Sequence, residues 1–172
     1  MRKILIALTL LLTGSGIYAE SQVPKDCKYK TQQEVILEIK KLSRYDVDSF
    51  FKKSCSYWKG NKDVVLAAVK QSIYVFEYVS EKLKDDKNLM LAAVKQRALT
   101  LKYASKKLKD DKEVVLAAVK ERGGVLKFAS ERLKDDKDIV LTAVKEYSRS
   151  FHYTSNKLKN DQDVVLAAVK SR

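Results

Sequence analysis

From Val64 onward the apolar residues recur in two alternating blocks. The first, Val64-Val65-Leu66-Ala67-Ala68-Val69-Lys70, returns as Leu89 to Lys95, Val114 to Lys120, Ile139 to Lys145 and Val164 to Lys170. The central leucines therefore fall at 66, 91, 116, 141 and 166, a step of 25 each time. Between these blocks lies a second, Phe76-Glu77-Tyr78-Val79-Ser80, repeated as Leu101 to Ser105, Leu126 to Ser130 and Phe151 to Ser155. Each copy is followed by Leu-Lys, at 83–84, 108–109, 133–134 and 158–159. A fixed period of this length marks stacked repeats, each unable to bury its apolar face alone.

Both blocks read as helices. At 100° per residue Val64, Val65, Ala68 and Val69 cover one broad arc, and Asp63 and Lys70 share the small remainder. In the second block Phe76, Val79 and Leu83 lie on one face, with Glu77, Glu81 and Lys84 on a polar edge and Tyr78 opposite. Asp85-Asp86, Asp110-Asp111 and Asp135-Asp136 precede the next first-type helix, and Asp110 with Glu113 approaches a capping box. The unit predicted is helix, turn, helix, turn, with helices of about 9–12 residues, too short to persist unstacked. The fold class expected is all-α, a short α-solenoid. A leucine-rich repeat would need alternating strand residues and an asparagine ladder, and the sequence has neither.

The ends depart from the pattern. Residues 31–61 read as a degenerate capping repeat, with Val35, Ile36 and Ile39 and then Phe50, Phe51 and Trp58. Leu37 to Leu66 is 29, so this copy carries about four extra residues. Residues 62–172 form four and a half copies. The chain stops after a first-type helix, so the stretch Asp163 to Arg172 is expected to leave an apolar face open to self-association.

The run Leu108 to Lys120, Leu-Lys-Asp-Asp-Lys-Glu-Val-Val-Leu-Ala-Ala-Val-Lys, together with the Leu-x-Tyr-Ala-Ser block at Leu101 to Ser105, resembles the DUF4116 helical repeats, found largely in bacterial proteins. The resemblance covers about residues 62–172. That family has no agreed activity, so it implies no catalytic residues.

The N-terminus has a different character. Arg2 and Lys3, the apolar run Ile4 to Leu12 and the small residues through Ala19 have the order of a secretory signal peptide, with cleavage expected after Ala19. Ser15 stands where a lipoprotein signal would need cysteine. Residues 20–30 then form a short N-terminal segment, and no second apolar run is long enough for a transmembrane segment. Removing residues 1–19 lowers the net charge from +13 to +11. Export places Cys27 and Cys55 in an oxidising compartment, where pairing is the expectation. Their separation is not that of a CxxC redox motif.

Candidate chemistry is sparse. One histidine and two cysteines cannot complete a zinc site. The phosphate-loop, dinucleotide, HExxH and GxSxG motifs are absent, and no catalytic, metal or cofactor residue is assigned. His152 holds the slot of Glu77, Lys102 and Lys127 on a polar edge. Ser80, Ser105, Ser130 and Ser155 read as small spacers bonding backbone carbonyls. Tyr78, Tyr103, Phe128 and Tyr153 read as core. Lysines recur in two columns: Lys70, Lys95, Lys120, Lys145 and Lys170, and Lys59, Lys84, Lys109, Lys134 and Lys159. They run beside Asp86, Asp111, Asp136 and Asp161. The slots that vary between copies, Ser72, Arg97, Arg122 and Tyr147, then Tyr74, Leu99, Gly124 and Arg149, together with the polar-edge Lys102, Lys127 and His152, outline a recognition surface.

The function expected is an exported, non-catalytic repeat protein, periplasmic or extracellular, that binds another protein. The lysine columns would steer an acidic partner. The alternative is binding to an anionic envelope polymer or other polyanion; an enzyme is the third reading.

Overall fold

Short extended breaks between helical segments decide the shape of each repeat. In the computed structural model, which describes residues 23–25, 27–29 and 31–170, the capping region forms α1 (Gln32–Lys41), α2 (Asp46–Lys53) and α3 (Ser56–Lys59). The predicted signal peptide lies outside the described residues. The first block then folds as α4 (Lys62–Val69), a short second-block helix follows as α5 (Glu81–Lys84), and the pair recurs as α6 (Lys87–Gln96) and α7 (Lys106–Lys109). Next come α8 (Lys112–Glu121) and α9 (Glu131–Lys134), α10 (Lys137–Glu146) and α11 (Asn156–Lys159), and α12 (Gln162–Lys170). The described residues contain no strand, and the fold is all-α.

The second block is not the continuous helix its spacing suggested. It divides into a 3₁₀ segment (Ile73–Glu77, Ala98–Tyr103, Gly123–Phe128, Ser148–Tyr153) and the one-turn helix that follows. Ala104 and Ser105, both extended, separate the two in the second copy. The reason lies in the serine. Ser105, Ser130 and Ser155 accept a hydrogen bond from the amide three residues on, so each caps a new helix rather than bonding a carbonyl within an old one. A tight 3₁₀ run of six residues is also about as long as that geometry sustains.

Like elements stack on like. α4, α6, α8, α10 and α12 pack in succession, and so do the four 3₁₀ segments. α8 and α10 each lie between the 3₁₀ segments before and after them. The apolar arc read from the sequence is buried throughout: Val64, Val65, Ala68 and Val69 have no exposed surface, and neither do Val114, Val115, Ala118 and Val119. Gly123 allows one especially close approach, because a Cβ there would collide with the Ala143 carbonyl oxygen.

Polar links repeat with the same step. The amides of Ser105, Ser130 and Ser155 donate to the carbonyls of Lys84, Lys109 and Lys134 one copy back. The same serine hydroxyls donate to Asp85, Asp110 and Asp135. The second aspartate of each pair caps the helix: Asp111 accepts from the amides of Glu113 and Val114, so the cap sits at Asp111 and not at Asp110. A full capping box occurs at Thr31 and Glu34.

A further lysine column, absent from the two read in the sequence, neutralises these caps. Lys62 pairs with Asp86, Lys87 with Asp111 at 2.8 Å, Lys112 with Asp136 at 2.8 Å and Lys137 with Asp161 at 2.9 Å. The Lys62 ammonium and the amide of Leu89 hold Asp86 below the usual carboxylate range. Burial pushes Asp111 and Asp136 upward, but the lysines and cap amides outweigh it and their pKa values fall. A carboxyl depressed on folding adds stability above its unfolded pKa and loses it as pH falls through the folded one. The urea midpoint is therefore expected to hold steady from neutral pH to about 5 and to drop below about 4. Lys87, Lys112 and Lys137, raised by their aspartates, hold their contribution until pH rises past the ordinary lysine value. A midpoint flat down to pH 3 would contradict the acid limb.

The last copy is less well satisfied. Ser150 has no exposed surface, and its hydroxyl has no hydrogen-bond partner. Val75 and Val125 occupy the same slot, while Thr100 there donates to the Arg97 carbonyl. Removing an unpaired buried hydroxyl recovers its desolvation cost. Ser150→Val is expected to raise stability by about 1–2 kcal/mol in urea unfolding, and Thr100→Val to gain less.

Candidate binding groove

The turns after α6, α8 and α10 are each built from one residue that closes the helix and opens the 3₁₀ segment. Arg97 (φ −149°, ψ 93°), Arg122 and Tyr147 all hold this position in extended conformation. The chain reverses there, and the side chains of all three are exposed. The varying slots therefore coincide with the turns, where packing places little demand on identity.

Two successive turns enclose a groove of about 280 Å³. Arg97 and Arg122 line it, with Lys95 from the end of α6 and Arg44 from the loop between α1 and α2. Tyr74, half exposed, and Leu99 add apolar surface, and Glu121 is its one acidic residue. Arg97 is held in place by its Nη2, which donates to the Lys70 carbonyl at 2.7 Å. Gln71 braces the wall by donating to the Ile39 carbonyl at 2.5 Å. Lys95, Arg44 and Arg122 make no ion pair among the described residues, so their charge is available to a ligand.

The predicted recognition surface is thus only partly one site. Tyr74, Arg97, Leu99 and Arg122 converge in the groove. Ser72 does not join them: it is buried and accepts from the Tyr74 amide, so it shapes the turn instead. Lys102 and Lys127 lie over the rings of Tyr103 and Phe128 at 5.3 and 4.8 Å. Arg149 and His152 line a different groove at the C-terminal end, and Tyr147 covers Gly124. Arg44 escaped the sequence reading because the capping repeat is out of register with the 25-residue step.

The two lysine columns separate. Lys70, Lys95, Lys120, Lys145 and Lys170 are exposed. Lys84, Lys109, Lys134 and Lys159 are half-buried. Lys84 and Lys134 are engaged by Glu81 and Glu131, and burial lowers the pKa of Lys109. Lys59, the first of that series, donates to the Lys52 carbonyl. Of the aromatic slots, Tyr78, Tyr103 and Phe128 pack against the core, but Tyr153 is exposed and does not. Tyr103 stacks on Phe76 with centroids 6.1 Å apart and donates to Glu77. Desolvation, with Glu77 adding to it, pushes the Tyr103 phenol up to about 12.

At the other end Cys27 and Cys55 form a disulfide with Cα atoms 5.6 Å apart. Trp58, buried beside it, donates its indole N–H to the Tyr29 carbonyl. No helix among the described residues is long and apolar enough to cross a membrane. No group of three or more metal-ligating side chains is placed to hold an ion among them.

No curated protein and no solved structure matches the chain. A family described as a domain of unknown function, DUF4116, matches residues 61–109, 111–154 and 136–172. The three matches begin at positions that differ by multiples of 25, the step of the leucines and of the inter-repeat hydrogen bonds. With most of its length so matched, the chain belongs to the DUF4116 family.

Proposed function

We propose that the protein is an exported, non-catalytic binding module whose groove at the Arg97 and Arg122 turns takes an acidic, extended stretch of a partner protein. The convergence of Arg44, Lys95, Arg97 and Arg122 around Tyr74 and Leu99 carries this reading. Guanidinium groups bind carboxylates through two parallel hydrogen bonds, and the tether from Arg97 to the Lys70 carbonyl reduces the side-chain entropy lost on binding. The half-exposed Tyr74 ring supplies the rigid contact area common at interface centres. The disulfide suits an oxidising compartment and supports export.

Panning a display library of short acidic peptides against the chain tests the proposal. Binders are expected, and the double change Arg97→Ala, Arg122→Ala should weaken them by roughly tenfold or more, the scale of a lost interface anchor. Lys145→Ala, outside the groove, should leave them unchanged. Binders indifferent to both arginines would overturn the assignment.

The exposed column Lys70, Lys95, Lys120, Lys145 and Lys170, with no ion pair among the described residues, favours a second reading, attachment to an anionic envelope polymer. Polymer binding would respond to Lys145→Ala, whereas a short peptide in the groove would not.

A further inference from the structure

The first and last described helices of the stack, α1 and α12, present different outer faces. In α12, Val164 is fully buried against the preceding copy, but Val165 is 39%, Leu166 48% and Val169 59% exposed. The counterparts of Val165 and Val169, among them Val65, Val69, Val115, Val119, Val140 and Val144, have no exposed surface, whereas Leu66, Leu91, Leu116 and Leu141, in the slot of Leu166, are half-buried in every copy. α8 and α10 pack on the 3₁₀ segments at both sides, and α12 packs on the one before it among the described residues. A groove of about 610 Å³ runs between α12 and Ser148–Tyr153, floored by Phe151, Val165, Ala168 and Val169.

At the opposite end α1 turns Val35 and Ile39 inward onto α4. Counted from the caps Thr31 and Asn61, the slots of Val64 and Ala68 are filled in α1 by Glu34 and Glu38. That outer face is polar. It also refuses head-to-tail stacking, because Val165 and Val169 pressed onto it would desolvate two carboxylates.

We infer that a second copy of this chain covers the α12 face, the two α12 helices lying antiparallel about a two-fold axis near Leu166. Such a contact is self-complementary and closes on itself, so it gives a dimer and not a fibre. The charges agree with it. Asp163 and Lys170, seven residues apart, share one edge of α12. A two-fold axis in the interface keeps that edge on the same side and reverses the helix, so Asp163 of each copy meets Lys170 of the other. Lys170 makes no ion pair among the described residues. Asp163 is contacted by Lys137 at 2.7 Å, and its side chain remains 69% exposed. The arrangement removes Val165, Leu166 and Val169 from water with both pairs formed at the rim.

This inference is independent of the groove at the Arg97 and Arg122 turns, and its test does not touch that groove. Sedimentation equilibrium of the full chain should give a concentration-dependent dimer. Val169→Glu should weaken it by roughly tenfold or more, as expected when a central apolar contact is lost, with the helical circular dichroism unchanged. Lys170→Glu and Asp163→Lys should each weaken self-association, because each brings like charges together twice. Mixed one to one they should restore the dimer, since every pair is then opposite in sign. A wild-type chain that stays monomeric at millimolar concentration, or a dimer indifferent to Val169→Glu, would overturn the proposal. A mixture no tighter than the separate variants would overturn the antiparallel register.

Discussion

Replacing Cys27 and Cys55 by alanine should lower stability by about 3–4 kcal/mol, the chain entropy released when a loop of this size is opened. The bond spans 28 residues, and that loop holds α1, α2 and the first residues leading to α3. It ties the segment around Tyr29 to the helices that seal the first repeat. Trp58 stands at the junction, with the Tyr29 carbonyl on its indole nitrogen and Tyr57 edge-on at 4.8 Å. It is the only tryptophan in the chain, so its emission reports the cap alone. In a stack where each unit touches only its neighbours, losing the terminal unit need not melt the interior. The expected result is a red shift of tryptophan emission at a lower urea concentration than in the parent, with the loss of helical signal following later. A shift worth less than about 1 kcal/mol would mean that the cap is held by its apolar contacts and that the bond adds little.

The repeat was legible in the sequence because packing demanded the same residues at each step. The first-type helices appear where the valines and alanines place them, with Asp63 and Lys70 on the open arc. The second block was not legible as a broken element, and the reason is geometric. Phe76, Val79 and Leu83 are buried in the 3₁₀-break-helix arrangement, as they would be in one continuous helix. The apolar pattern alone therefore does not separate the two. The signal that does is the serine three residues before Leu108, Leu133 and Leu158, a helix cap placed inside what looks like a helix.

The polar residues show the same limit. Both aspartates of each pair looked like caps, yet one caps and the other receives a serine hydroxyl from the next copy. Lys62, Lys87, Lys112 and Lys137 recur at 25, but their role depends on reaching across copies, which a helical wheel does not represent. In the groove, Tyr74, Arg97, Leu99 and Arg122 were legible as slots free to vary. Ser72 shares a slot with Arg97 but is too short to leave the turn it bonds. Arg44 comes from the one copy whose length breaks the period, so only the folded chain brings it to the others.

Phe76→Ala should be the most damaging single change, costing about 3–5 kcal/mol, the range for deleting a fully buried phenylalanine. The segment Ile73–Glu77 packs against α2 of the cap, α4 of its own copy and the 3₁₀ segment of the next. Its ring lies nearly parallel to Tyr103, 17° between planes. A cavity here removes contacts from three units at once, and neighbouring backbone held by cap and stack has little freedom to collapse into it. Phe76→Leu should cost under about 1.5 kcal/mol, because leucine fills the same slot at Leu101 and Leu126 and the packing adapts to it. The two changes separate volume from chemistry. The alanine variant also has a spectroscopic consequence. Burial is the largest cause of the raised Tyr103 phenol, so opening its stacked face to water should return that titration from about 12 toward the ordinary value near 10. If the phenol titrates unchanged while stability falls, Glu77 rather than Phe76 holds Tyr103 in its protonated form, and the cavity is confined to the side facing α4.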